Sequence, residues 1–446
     1  MKEQNETRFP GAALLVIPFA LMSAWYLNYA FHGWFQQDDF GSIYLYQHSL
    51  HTSNLWNFND FGRFLSRNVY WHFLWQIFGA QAAYYFLFNF LTIAGTTFVI
   101  FRTFRATYDR AISATVALLY FGSINVVEDY SWISFSQHLI PIFFIFLFMG
   151  MFFDRVEKEW TGTDAFKMIA VLALGISGNI FAIGALVFPL YFALRNKELR
   201  RDRKFRFFVV LAVLGSLIAL VEAHRFAVGP YATSFSWSVV HGNLTYYFQN
   251  HLWEYVLALA IMLIVGWRRE NHYVTTVALL CIASFAPYAI LVSQRSQGYM
   301  SLTSTTFFMG LLLTAIELFG KTKPIRNTLL TLAVLTPFYF VNPSPLNNYW
   351  NANPQGATAH GIVTQVSDFA DRHPEIKTYC FGVQIDGIGA KIATRDWAFL
   401  AKGKALSDFI ARSDNFRFYP RGYYPTSCQA IIILTKNPSL VFDNRN

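Results

Sequence analysis

Two adjacent carboxylates, Asp38 and Asp39, stand in the run Gln36-Gln37-Asp38-Asp39-Phe40, directly after the first long apolar stretch of the chain. Carboxylates at a membrane face are costly to desolvate, so an acidic pair at the mouth of a first membrane helix is a candidate for function. A carboxylate within hydrogen-bond reach of a hydroxyl can take its proton as that oxygen attacks. A second acidic pair, Glu128-Asp129, precedes Trp132, Gln137 and His138. Arginines stand at Arg63 and Arg67, and at Arg295 in Ser293-Gln294-Arg295-Ser296-Gln297-Gly298-Tyr299. Guanidinium groups suit bidentate contact with phosphate and can stabilise one that leaves. Each group also has a plainer reading. The Asp pair could cap a helix, and Glu128-Asp129 could be a solvated loop end. His138, in an apolar stretch, could be a satisfied core histidine. Arg63 and Arg67 could anchor a helix to anionic lipid, and Arg295 could snorkel to the interface.

The surrounding chain fixes which class of protein holds these groups. Of its 446 residues 54% are hydrophobic, 19% aromatic and only 14% charged, against about 25% charged in soluble domains. A membrane protein is expected. Met1 to Arg8 is short and polar, and no small-residue cleavage site precedes Trp25 and Tyr26, so the first apolar stretch is expected to stay as a membrane helix. A crossing helix needs roughly 20 mostly apolar residues. Candidate spans lie at about 10–31, 80–101, 110–127, 136–153, 165–178, 180–194, 205–227, 252–267, 273–293, 302–320 and 326–342. The fifth and sixth are short and flank Gly175, Ser177, Gly178 and Asn179, so they could form one broken hairpin.

Lys and Arg mark the cytoplasmic loops. Arg102, Arg105, Arg110, Arg155, Lys158, the basic run 195–206, Arg268, Arg269, Lys321, Lys323 and Arg326 share one parity with the N-terminus. A cytoplasmic N-terminus and an external C-terminus follow from eleven crossings. The net charge of +9 reflects this loop bias, and no nucleic-acid motif accompanies it. The external segments are then about 32–79, 128–135, 228–251, 294–301 and the tail 343–446. Within the first, residues 64–79 repeat apolar positions at helical spacing, as an amphipathic helix in the interface would. The tail reads as a small α/β domain, with helices at 360–372 and 395–412 and strands at 376–383 and 429–435. Cys380 and Cys428, both in the tail, could form a disulfide in an oxidising compartment.

Gathered on one side of a membrane, these groups suit one reaction. A sugar carried on a lipid phosphate is passed to a hydroxyl, with a carboxylate taking the proton, arginine stabilising the leaving phosphate, and aromatic side chains lining the sugar cavity. Gln37-Asp38-Asp39-Phe40, Gly62-Arg63-Phe64-Leu65 and Leu74-Trp75-Gln76-Ile77-Phe78-Gly79, with the topology over residues 10–342, resemble the C-type (GT-C) glycosyltransferase superfamily. Within it the chain is similar to bacterial inner-membrane enzymes that decorate O-antigen, the polysaccharide of lipopolysaccharide, or other cell-surface glycans.

The resemblance implies an all-α polytopic membrane domain at 1–342 and a periplasmic α/β domain at 343–446. It implies a polyprenyl-phosphate sugar donor, such as an undecaprenyl-phosphate hexose, and a glycan acceptor. By the same resemblance, one of Asp38 and Asp39 is the base, with Asp39 slightly favoured. Glu128 and Asp129 are supporting acids, and Arg295, with Arg63 or Arg67, meets the donor phosphate. Gln137, His138 and Tyr299 are candidates for substrate contact. The Asp-x-Asp spacing of metal-dependent oligosaccharyltransferases is absent from the sequence, so no metal cofactor is expected, although adjacent carboxylates could share a divalent ion. Two other readings compete. A flippase would place ionisable residues inside the bilayer and show internal repeats; no repeat stands out, and most charges lie in loops, with Glu222, His224, Arg225 and Glu317 the exceptions. A membrane O-acyltransferase would recruit His138 or His224.

Overall fold

The computed structural model describes residues 12–35, 39, 62–79, 81–226, 233–234, 236–292, 297–320, 322–340, 368–369, 371–376, 378–383, 415–419, 430–434 and 440–444. The membrane part is all-α. Helix α1 (Ala12–His32) is followed by a π-helical turn (Phe64–Val69) that runs directly into α2 (Tyr70–Phe78). Then come α3 (Ala82–Arg105), α4 (Arg110–Phe121), α5 (Ile124–Tyr130), a 3-10 turn (Ile133–Phe135) and α6 (Ser136–Arg155). Next are α7 (Gly162–Gly178), a 3-10 segment (Ile180–Leu186) continuing as α8 (Val187–Arg195), α9 (Lys197–Arg201) and α10 (Arg203–Phe226). The series ends with α11 (Trp237–Phe248), α12 (Leu252–Arg268), α13 (His272–Ala289), α14 (Ser301–Phe319) and α15 (Lys323–Phe340).

Five of these helical stretches are long and apolar enough to cross a membrane, beginning at Ala82, Ile133, Arg203, His272 and Ser301. The count reaches seven if each of two bent pairs, α4 with α5 (49°) and α11 with α12 (88°), is one span. At the second bend Gln249 takes a positive φ of 50°, a backbone state that costs a side-chain-bearing residue energy and turns the chain sharply. Helix α11 lies where the sequence suggests only an external loop. Its residues Ser238, His241, Gly242, Asn243 and Thr245 dilute the apolar pattern.

Central α6 packs against α3 and α7, and α13 packs against α12 and α14. In lipid, apolar surface gives helices little reason to associate, so close backbone approach at small residues matters. Gly150 of α6 faces Thr103 of α3, and Gly266 of α12 faces Thr275 of α13. A Cβ at Gly266 would lie 2.8 Å from the Thr275 backbone nitrogen. Gly266→Val should therefore destabilise the protein by about 1–3 kcal/mol, read as a lowered melting temperature in detergent. An unchanged melting temperature would show that α12 and α13 do not meet there.

The two ends of the bundle differ. At one end the basic turns gather ion pairs: Arg102–Asp154 (3.9 Å), Arg155–Asp164 (2.9 Å), Arg195–Glu270 (3.7 Å) and Arg326–Asp109 (3.3 Å). There Asn271 also donates to Tyr108 (2.7 Å) and Glu317 (2.5 Å). Several helices that start at this end are capped by side chains. Asp109 accepts from the Ile112 N–H, Asp202 from Lys204 and Phe205, and Asn271 from Val274. Thr161 and Asp164 form a reciprocal capping box. At the opposite end, α3, α6, α12 and α14 begin without a side-chain cap. That end carries the buried carboxylates.

Beyond the helices, four strands form a sheet in the order β2-β1-β3-β4: β1 (Thr378–Val383), β2 (Asn415–Tyr419), β3 (Ala430–Leu434) and β4 (Leu440–Asn444). β1 pairs in parallel with both β2 and β3, and β4 is antiparallel to β3. β1 and β3 fall within the expected strands 376–383 and 429–435, whereas β2 and β4 are additional. Of the tail helices, only a turn near 368–372 is described, and 395–412 lies outside the described residues.

Candidate functional site

Asp39 is fully buried. Its Oδ1 accepts hydrogen bonds from the Ser134 backbone N–H (2.8 Å) and hydroxyl (2.5 Å). A carboxylate taken out of water must find such donors, and Ser134 supplies two from the 3-10 turn that precedes α6. Tyr70 and Tyr85 stand near Asp39. Burial holds the Tyr70 phenol well above its ordinary value, with the Tyr85 and Asp39 charges adding to the effect. Tyr70 donates to Asn89 Oδ1 (3.1 Å). The acidic pair thus has one member, Asp39, inside the protein rather than on an open outer loop. Asp38 lies outside the described residues.

The second acidic pair is not a solvated loop end. It sits on α5, where Asp129 is fully buried and Glu128 half-buried. Asp129 Oδ1 lies 3.2 Å from His138 Nδ1, and its Oδ2 accepts from the Ser301 hydroxyl. With Asp129 ionised its carboxylate only accepts, and His138 then donates from Nδ1 and keeps Nε2 on the far side of the ring. The helices meet here for local reasons. Tyr130 donates to the Tyr26 carbonyl (2.6 Å) and Tyr26 to the Phe121 carbonyl (2.9 Å), tying α5 to α1 and α4. Pro141, inside α6, has no N–H to give the Gln137 carbonyl, which loosens the first turn that carries His138.

Aromatic rings close around this pair. Phe135 stacks on His138 at 4.9 Å, Tyr299 meets it edge-on at 5.1 Å, and Tyr288 stacks on Tyr299 at 5.0 Å. Tyr288 is held by Asn243 of α11, whose amide donates to the carbonyls of Tyr288, Ala289 and Leu291 at 3.1, 2.9 and 2.7 Å. Tyr288 lies within electrostatic reach of both Asp129 and Arg63. Its buried phenol oxygen has no hydrogen-bond partner among the described residues, and neither does the Trp132 indole nitrogen.

Arg63 and Arg67 are half-buried on and beside the π-helical turn, a geometry that recurs at functional sites. The turn is pinned by Ser66, whose hydroxyl donates to the Gly178 carbonyl (2.5 Å) and whose carbonyl accepts from Ser136 (3.4 Å). Residues 129–138 therefore tie the site together: they hold Asp39 through Ser134, contain Asp129 and His138, and touch the arginine turn through Ser136. Gln137 is half-buried beside His138, and Tyr299 belongs to the aromatic group. Arg295 and Cys428 lie outside the described residues. Cys380 is on β1, opposite Arg417 and Ile431.

Ser134, Ser301, Tyr288 and Asn243 have no counterpart in the sequence reading. Only Ser301 has a local signal, because it opens a helix start rich in hydroxyls: Thr303, Ser304, Thr305 and Thr306. Among the described residues, no three His, Cys, Asp or Glu side chains group as metal ligands do. Comparison with known proteins gives no matching family model, no matching curated protein and no matching solved structure.

Proposed function

We propose that this chain is a C-type integral-membrane glycosyltransferase that moves a hexose from polyprenyl phosphate to a cell-surface glycan. The reading rests on Asp39, a buried carboxylate fixed at one oxygen by Ser134, with His138 of a buried acid–imidazole pair one helical turn further along the same segment, and with Tyr288 in electrostatic reach of both Asp129 and Arg63. In this reading the acceptor hydroxyl attacks the anomeric carbon and its proton passes to Asp39 or Asp38. The bond from carbon to phosphate oxygen breaks with its electron pair on oxygen, and the anomeric configuration inverts. Polyprenyl phosphate leaves against Arg295, with Arg63 or Arg67 assisting. Asp129 and Glu128 support the site, and Tyr288, Tyr299 and His138 line it. No metal takes part in the proposed steps.

The topology that goes with this activity has eleven crossings in a bacterial inner membrane, a cytoplasmic basic end, a periplasmic carboxylate end and a periplasmic α/β domain built on the four-stranded sheet. A periplasm-dependent reporter fused after Asn446 should be active, and an inactive one would overturn that topology. The activity is tested in vesicles with undecaprenyl-phosphate glucose and lipopolysaccharide acceptor. Glucose should appear on the glycan with an equal amount of undecaprenyl phosphate released. Intact donor in the presence of folded protein, across the hexoses tried, would sink the proposal. Arg63→Gln should raise the KM for the lipid-phosphate donor at least about tenfold, the loss of a charge-assisted contact.

The Asp129–His138 pair favours a second reading, membrane O-acyl transfer, because an imidazole oriented by a carboxylate is a suitable base for a hydroxyl. Acyl transfer lost in His138→Ala, with donor sugar untouched, would select it.

A further inference from the structure

Away from the carboxylate site, a groove of about 330 Å³ runs between α7 and α10 at the basic end of the bundle. Its walls are Ala165, Phe166, Ile169, Phe207 and Leu211, and Arg203 and Lys204 stand at its head. That volume falls in the range of ligand sites. Phe166 and Phe207 are 72% and 63% exposed, although both belong to strongly apolar helices. On α10 the exposed residues Phe207, Leu211, Leu214 and Ile218 continue at helical spacing as a stripe roughly 16 Å long. Few residues of α10, one of the crossing helices, are buried against the rest of the bundle.

The head of the groove is cationic. Among the described residues no carboxylate lies within ion-pair distance of Arg203, and the nearest acid to Lys204 is Glu159, at 4.0 Å with both side chains largely exposed. Two further acids of these helix starts are occupied. Asp202 caps α10 through the N–H groups of Lys204 and Phe205, and Asp164 pairs with Arg155. Snorkelling alone would explain two basic residues at a span end, but not an apolar furrow leading away from them.

We propose that this groove holds a diacyl phospholipid with an anionic headgroup, its phosphate against Arg203 and Lys204 and one acyl chain between Phe166, Ile169, Phe207 and Leu211. The assignment is independent of the transferase reading. Phosphatidylcholine brings the same phosphate together with a quaternary ammonium that the two cations repel, so a headgroup of net negative charge is favoured and the site selects charge as well as chain.

Native mass spectrometry of the full chain in mild detergent tests this, with phosphatidylglycerol or phosphatidylcholine added. Phosphatidylglycerol should remain bound under activation that strips phosphatidylcholine. Arg203→Gln with Lys204→Gln should weaken phosphatidylglycerol retention by about thirtyfold, the effect of two charges near a lipid surface, and leave phosphatidylcholine retention unchanged. Phe166→Ala with Phe207→Ala, both at exposed positions, should lower phosphatidylglycerol retention with the charges intact. Equal retention of the two lipids by the wild-type protein would overturn the proposal. Wild-type retention of phosphatidylglycerol by either double variant would overturn it as well.

Discussion

Asp39→Asn is expected to abolish sugar transfer while leaving the protein folded. The two Ser134 bonds both end on Oδ1, and the amide oxygen of Asn can accept both. What the substitution removes is the capacity to take a proton, and general-base assistance is worth about a hundredfold to ten-thousandfold in rate. The fall should appear in kcat for undecaprenyl-phosphate sugar, with the melting temperature near that of the wild type. Asp39→Ala should differ in kind, because it leaves the buried Ser134 donors without an acceptor and costs about 1–3 kcal/mol of stability as well. Asp38→Asn run alongside assigns the base between the two neighbours. Full activity in Asp38→Asn, Asp39→Asn and the double variant, all well folded, would remove proton abstraction by this pair from the mechanism.

The largest effect on stability should come from Asp129. It is fully buried and accepts from both His138 and Ser301. Asp129→Leu strands both donors, and each buried group left without its acceptor costs about 1–3 kcal/mol. Thermal unfolding in detergent should show a clear loss. Asp129→Leu combined with His138→Leu should be more stable than Asp129→Leu alone, since an apolar pair leaves less unsatisfied. A double variant as unstable as the single one would place the importance of Asp129 elsewhere, in Ser301 and the start of α14.

Five of the eleven expected spans were legible in the sequence because length and hydropathy alone define them. The expected spans 80–101 and 136–153 correspond to Ala82–Arg105 and Ser136–Arg155. α11 was not legible, since its polar residues hide a helical repeat. β3 stood out as an unbroken apolar run, whereas β2 of equal length carries Asn415 and Arg417 and β4 ends in Asp443 and Asn444. Within the site, types were easier to read than partners. Asp39 stood out as a costly charge, but its partner Ser134 is 95 residues further along the chain. His138 fits the plainer reading of a satisfied histidine, yet Glu128-Asp129 looked like a wet loop end. Burial of Asp129 depends on Ser301, 172 residues away, and no local pattern encodes a contact of that range.

The uneven capping of the helices has a mechanical consequence. Starts at the basic end are tied off by Asp109, Thr161, Asp202 and Asn271, each such tie resisting fraying by about 1 kcal/mol. The opposite starts, at Ala82, Ser136, Leu252 and Ser301, have no such tie. First turns at the carboxylate end are therefore the easier ones to unwind, while Asp39–Ser134, Asp129–Ser301 and Ser66–Gly178 keep the helices themselves together there. Amide hydrogen exchange should be faster in those first turns than in the capped ones.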